Sequence, residues 1–166
     1  AMNEPKKSGL PDDNFQDPLE DYEPPEYADP VERALGEERV ASMNITPYAS
    51  VGPHTPIGEA IRQMADMHHA CLLVSENDRL VGIFTDREIV DQVALEYDDV
   101  VERPIRDVMT TDPVYVHGED TLAAAMCVMA VSGFRHVPVL SEDGRIDGIV
   151  SPQRVSEYLH GKTGVL

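Results

Sequence analysis

The segment LVGIFTDRE at residues 80–88 returns 66 positions later as IDGIVSPQR at residues 146–154. No other feature constrains the fold as much, because whatever unit the first copy builds, the second must build again. The likeness continues upstream: TPIGEAIRQMADMHHACLLV aligns with DTLAAAMCVMAVSGFRHVPVL, with one residue deleted near His68, so the unit is roughly 60 residues long. The copies part at one place. Both pass through Gly-Ile to a hydroxyl, Thr85 or Ser151, but three residues further the first copy has Glu88 and the second has Arg154.

Each copy changes periodicity in the same order. Ile57, Ala60, Ile61 and Met64 fall at i, i+3, i+4 and i+7, as do Leu122, Ala125, Met126 and Met129, and this spacing places each set on one helix face. The methionines in these stripes read as core, since a flexible thioether fills irregular gaps. Short apolar runs follow, Cys71 to Val74 and Val137 to Leu140, then polar turns, then second runs ending at Phe84 and Val150. Such runs joined by turn residues read as hairpins. Closing helices are expected near Asp86 to Leu95 and Pro152 to His160, and a short strand ahead of each first helix, around Val51 and around Val114 to Val116. The expected fold class is α+β, with two β-α-β-β-α units. Neither unit can bury its helix stripe and both sheet faces alone, so the pair is expected to pack about a pseudo-twofold axis.

Composition narrows the partners. With 42 % hydrophobic residues the chain can build a core, while its formal charge of -18, offset by no cluster of Lys or Arg, repels a phosphate backbone. Nucleic acid is therefore not an expected partner. No apolar run approaches the roughly 18–20 residues of a membrane span, and the start of the sequence lacks the apolar core of a secretory signal. No membrane association and a cytoplasmic location are expected. Cys71 and Cys127 have no CxxC spacing and sit in apolar runs, so both are expected as buried, reduced thiols.

Residues 1–28 are rich in Pro, Asp and Glu and poor in aliphatics, and read as a flexible acidic tail. A lead-in helix is expected over residues 29–44, with Asp29 as N-cap and Pro30 at the first helical position. The first repeat then spans residues 45–101 and the second 102–166.

The order of these elements resembles a tandem pair of CBS domains, the Bateman module, over residues 40 to about 160. Its carriers are DVMTTDPVYV (107–116), the helix through Met129, GFRHVPVL (133–140) and GRIDGIV (144–150) in the second copy, and RLVGIFTDREIV (79–90) in the first. The resemblance implies a stand-alone sensor that binds adenine nucleotides or related adenosyl ligands between the repeats, and that pairs as a homodimer. In the family pattern a Gly-x-x-Thr/Ser-x-x-Asp motif from one repeat meets ribose, while the other repeat encloses the base. A carboxylate can accept from vicinal ribose hydroxyls, and an Arg or His at the mouth can meet phosphate.

Carried over by residue, one composite cleft keeps its parts: Gly82, Thr85 and Glu88 from the first copy, with Thr110, Thr111, Pro113, Val114, Arg135, His136, Val137 and Pro138 from the second. Arg87, beside the motif, could also approach phosphate. The other cleft would join Ser151 and Arg154 to Ile45, Thr46, Tyr48, Ala49 and residues 69–72, with an arginine where the acid belongs. The first cleft itself departs from the pattern, since Glu88 is one methylene longer than Asp. Thr85 and Glu88 also have the spacing of a helix capping box, a role compatible with ribose contact.

The implied function is a non-catalytic regulatory module that binds AMP, ADP or ATP, with S-adenosylmethionine less favoured, and acts on a separate regulated protein. No cofactor is required. The rival reading is a ligand-free dimerising or partner-docking scaffold. The sequence shows no GxSxG, P-loop or HExxH signature. His68 and His69 are adjacent, so on a helix their side chains diverge by about 100°, and no spaced ligand set accompanies them.

Overall fold

The computed structural model describes Glu23 and residues 26–164. The acidic tail expected over residues 1–28 therefore lies almost wholly outside the described residues. Helix α1 spans Pro30–Glu37, its first turn capped by the Asp29 carboxylate, which accepts from the Glu32 N–H at 2.8 Å. The helix expected as far as residue 44 stops here. Residues 38–41 bond to the second repeat instead: Val40 N–H donates to the Asp120 carbonyl, Ala41 N–H to Gly118, and Leu122 N–H to Glu38. A separate short turn, Val40–Ser42, follows.

The first repeat contributes β1 (Ser50–Val51), α2 (Ile57–Met67), β2 (Cys71–Glu76), β3 (Arg79–Thr85) and α3 (Asp86–Glu88). Its closing segment is helical as expected but not uniform, passing from α3 through a wider turn at Ile89–Val93 and a tighter one at Ala94–Glu96. Helix α4 (Tyr97–Val100) and a turn at Ile105–Asp107 lead to the second repeat, which contributes β4 (Thr110–Thr111), β5 (Val116–His117), α5 (Leu122–Ser132), β6 (Val137–Leu140), β7 (Ile146–Val150) and α6 (Pro152–Thr163). The result is a mixed α+β fold with two small sheets, in the orders β1-β2-β3-β4 and β5-β6-β7.

The repeats agree in detail. In each, the first strand runs parallel to the second and the hairpin is antiparallel, with a register shift at Val74/Ser75 in one and Val139/Leu140 in the other. Each first helix ends in a left-handed residue, Gly133 at φ 74° and His68 at φ 54°. Glycine accepts this conformation without cost, whereas a β-carbon resists it. His68 thus stands at a helix end where its counterpart is glycine.

The lead-in segments are exchanged. Helix α1 packs on α5 and α6, and Ala34, Val40 and Met43 join Leu122, Ala125, Met129, Val137, Val139 and Val150 in the second repeat's core. Reciprocally, Val100 and Ile105, which precede the second repeat, join Ile57, Ala60, Met64, Leu72, Val74 and Phe84 in the first repeat's core. The backbone bonds match too: Ile57 N–H donates to Arg103 and Gly58 N–H to Val101, as Leu122 does to Glu38. A third apolar cluster, Cys71, Leu73, Ile83 and Ile149, with Tyr48, Leu80 and Ile146 beside it, joins the two sheets.

Two expectations fail on α5. Cys127 is exposed, not buried, and Met126 keeps 36 % of its surface. The helix is apolar all round, so apolar spacing does not reveal which side meets the core. Leu122, Ala125 and Met129 are buried, and Cys127, between them in sequence, faces outward. Cys71 is buried as expected, and its thiol is pushed up to about 12 by burial first, then by the charges of Glu88 and Asp86. No helix among the described residues is long and apolar enough to cross a membrane.

Candidate functional site

The two hairpin ends carry the motif residues to equivalent places, and the lead-in segment of the opposite repeat reaches each of them. Strand β4 pairs with β3, Gly82 opposite Thr111 and Ile83 opposite Thr110. On the other side, Ile149 N–H donates to the Ile45 carbonyl at 2.8 Å. Both motif glycines permit this approach. A β-carbon on Gly82 would run into the Met109 sulfur and lie 3.0 Å from the Thr110 carbonyl oxygen, and one on Gly148 would run into the Ile45 carbonyl oxygen.

Thr85 and Glu88 are both buried. Thr85 caps α3, its hydroxyl accepting from the Arg87 N–H at 3.2 Å. Glu88 turns back, and its Oε2 accepts from the Thr85 N–H at 2.7 Å and the Thr85 hydroxyl at 2.6 Å. Its Oε1 accepts from the Thr110 hydroxyl at 2.7 Å. The capping box is thus formed, and the same carboxylate ties the first repeat's motif to the second repeat's lead-in strand. A ribose hydroxyl reaching Glu88 would share Oε1 with Thr110.

The residues expected in one cleft fall into two adjoining crevices separated by α3. A cleft of about 580 Å³ brings Thr85, Arg135 and His136 together with Ala70, Asp86, Arg87, Val90, Asp91, Gly133 and Phe134. Glu88 and Thr110 line a smaller crevice of about 310 Å³ with Gln92, Asp107, Val108 and Met109, and Arg87 and Asp91 border both. Val137 lies in the second repeat's core, Pro113 and Pro138 are buried, and Thr111 and Val114 are exposed. Of the cleft-lining residues, the spacing had not singled out Phe134, Asp86 or Asp91. Asp86 and Asp91 flank the motif on α3 and its continuation, which was the available signal.

Arg87 spans the cleft. Its Nη2 donates to the Gly133 carbonyl at 2.9 Å, and its guanidinium lies 5.1 Å from the centre of the Phe134 ring, a cation–π contact. His136 is half-buried, and burial holds it below the ordinary histidine range against the pull of Asp86, with Arg154 and Arg135 adding to the depression. The cleft thus offers groups suited to binding, an aromatic ring, two arginines, two carboxylates, an imidazole and the Thr85 hydroxyl, around a concave space.

At the equivalent motif position in the second repeat an arginine stands in place of the acid. Ser151 caps α6, accepting from the Arg154 N–H at 3.3 Å. Arg154 then donates from Nη1 to the Ile149 carbonyl at 3.2 Å and from Nη2 to the Pro47 carbonyl at 2.5 Å. What remains is a space of about 390 Å³ bounded by Asn44, Thr46, Pro47, Arg154, Glu157 and Tyr158. Among the described residues no group of three or more His, Cys, Asp or Glu is arranged to hold a metal ion.

Comparison with known proteins bears on the two repeats. The family model for the CBS domain matches residues 40–95 and 105–161. An uncharacterised 17.7 kDa protein of Acidianus ambivalens is 32 % identical over 122 residues, covering 73 % of each chain. The Arabidopsis thaliana CBS domain-containing protein CBSCBSPB1 is 35 % identical over 112 residues, 67 % of this chain but only 20 % of that one. The chain thus spans about a fifth of the length of such curated relatives. Among solved structures, the CBS-domain protein ATU1752 of Agrobacterium tumefaciens is similar at TM-score 0.62 and 31 % identity, over 68 % of this chain and 89 % of that one. CBSX2, in complex with AMP, is similar at TM-score 0.63 and 24 % identity, covering 72 % and 94 %. The domain pair of MJ0100, in complex with 5-methylthioadenosine and S-adenosyl-L-methionine, gives 0.65 and 23 %, covering 75 % and 97 %.

Proposed function

The chain belongs to the CBS-domain family, and from that premise we propose that it is a non-catalytic regulatory module, cytoplasmic, that senses an adenosine-containing nucleotide between its repeats and acts on a partner protein in trans. One observation carries the reading: Thr85 and Arg87 from one repeat and Phe134, Arg135 and His136 from the other line a single cleft. A ligand seated there touches both repeats, so its binding energy depends on their relative orientation and shifts the population toward one arrangement. Proteins of the same fold bound to AMP and to S-adenosyl-L-methionine support the ligand class. The titration that tests it is calorimetric, with AMP, ADP, ATP and S-adenosylmethionine against the parent chain and an Arg135→Ala, His136→Ala variant. Saturation at one ligand per chain, weakened at least tenfold in the variant, is the expected result. Absence of heat with all four, and no change in Tm at millimolar ligand, would sink it.

A second reading has its own observation. Glu88, the acid expected to hold ribose, is bonded to Thr85 and Thr110, as it would be in a scaffold that binds nothing there. The same titration separates the two.

The proposed assembly is a homodimer through α5. Helix α2 turns Glu59, Arg62 and Asp66 outward, whereas the outer side of α5 carries Ala124, Met126, Cys127, Ala130 and Val131, with no charge and Val131 89 % exposed. A second copy covering this face would slow modification of Cys127 as protein concentration rises. A sedimentation profile of monomer at all concentrations would exclude it.

A further inference from the structure

The charges around the cleft bear on how many phosphates its ligand carries. Five ionisable side chains line it: Arg87, Arg135, Asp86, Asp91 and His136. Two cations face two anions. His136 adds no charge at neutral pH, because burial disfavours its protonated form.

Nor are the two arginines equally available. Arg87 already donates to the Gly133 carbonyl and lies over Phe134, so a phosphate drawing it away must replace both contacts. Among the described residues lining the cleft, Arg135 is the cation with no protein partner, and its fork suits the bidentate geometry of a single phosphate. A second phosphate would find only Arg87, already engaged, and a third would find no further cation lining the cleft. Both would meet Asp86 and Asp91, on a chain whose formal charge is -18.

We infer that the cleft takes a nucleoside monophosphate in preference to the di- and triphosphate, and that Asp86 and Asp91 provide the discrimination. The inference rests on the nucleotide-sensing reading of the same cleft and adds the phosphate number to it. Both aspartates are exposed, so each acts through water and the preference is graded: about threefold to tenfold per added phosphate at low ionic strength, shrinking as salt rises. Magnesium, which offsets polyphosphate charge, narrows the gap.

The test is competition of AMP, ADP and ATP for the parent chain in EDTA at low salt, repeated with magnesium and with Asp91→Asn, whose side chain keeps its size and loses its charge. The expected order is AMP, then ADP, then ATP, with ATP gaining about twofold to fivefold on AMP in Asp91→Asn. The Tm of the variant should match the parent. Equal or tighter binding of ATP in EDTA, or an unchanged AMP to ATP ratio in the variant, would overturn the inference while leaving the sensor reading intact. Failure of all three nucleotides to bind would overturn both.

Discussion

The two hairpin ends solve one structural problem with opposite charges. Each must hold the lead-in segment of the other repeat. At the first, the Glu88 carboxylate gathers hydroxyl and N–H donors from Thr85 and Thr110. At the second, the Arg154 guanidinium gathers the carbonyls of Ile149 and Pro47. The acid is short and buried and lies back against its own helix start, leaving a wider cleft on the far side of α3. The arginine is long, and it reaches across to the Pro47 carbonyl of the other repeat. One change of residue at a repeated position thus exchanges a carboxylate that gathers donors for a guanidinium that gathers carbonyls, and each borders a crevice lined from both repeats.

The comparison breaks most readily at Glu88. Glu88→Ala leaves the Thr85 N–H and both hydroxyls without their buried acceptor, and should cost about 2–4 kcal/mol in denaturant unfolding. An effect no larger than that of Arg154→Ala would mean the two contacts are equivalent. Next come the motif glycines. Gly148→Ala drives a β-carbon into the backbone carbonyl of Ile45, which cannot yield, whereas Gly82→Ala first meets the flexible end of Met109. The losses should be about 2–3 and about 1 kcal/mol, and the reverse order by chemical denaturation would contradict the geometry.

Arg154→Ala should cost about 1 kcal/mol or less, since its carbonyl partners can turn to water. Its sharper readout is stoichiometry. If the Arg154 side chain is what keeps ligand from the second place, the variant should admit added ligand there, and calorimetry showing no new site would assign the difference to the missing acid. The smallest effect is in pH. Burial lowers the folded-state pKa of His136 below its ordinary 6.5, so between these values the unfolded chain binds the extra proton. The contribution to stability is complete above pH of about 6.5 and declines as pH falls through the folded value. The difference in stability between the parent and His136→Gln should show that slope on the acid side of 6.5, and parallel curves would remove His136 from the account.

The two-unit plan was legible because period changes and turn residues occur twice in the same order. The capping box was legible because Thr85 and Glu88 are three residues apart, within the reach of one helical turn. The contact between Glu88 and Thr110 was not, since 22 residues separate them and no local pattern encodes the pairing. The orientation of Cys127 was hidden for a different reason. Where a helix is apolar on every side, hydrophobic spacing carries no phase, and only the packed partner fixes which side is inside. The early end of α1 was also tertiary, because residues 38–41 bond to a loop and a helix start some 80 positions away.

The exchanged lead-ins have a consequence for how this chain reaches its structure. Tyr158 on α6 donates to Glu38, 120 positions earlier, and the core beneath it closes only when residues 34–43 arrive. The first repeat likewise lacks Val100 and Ile105 until the chain beyond it has turned back. A ribosome releasing the first repeat would therefore hold an incomplete body, and cooperative closure waits for the second. Long-range contacts of this kind slow folding and join the two halves into a single unfolding transition, so that a nick between the repeats would leave two fragments, each carrying part of the other's interior.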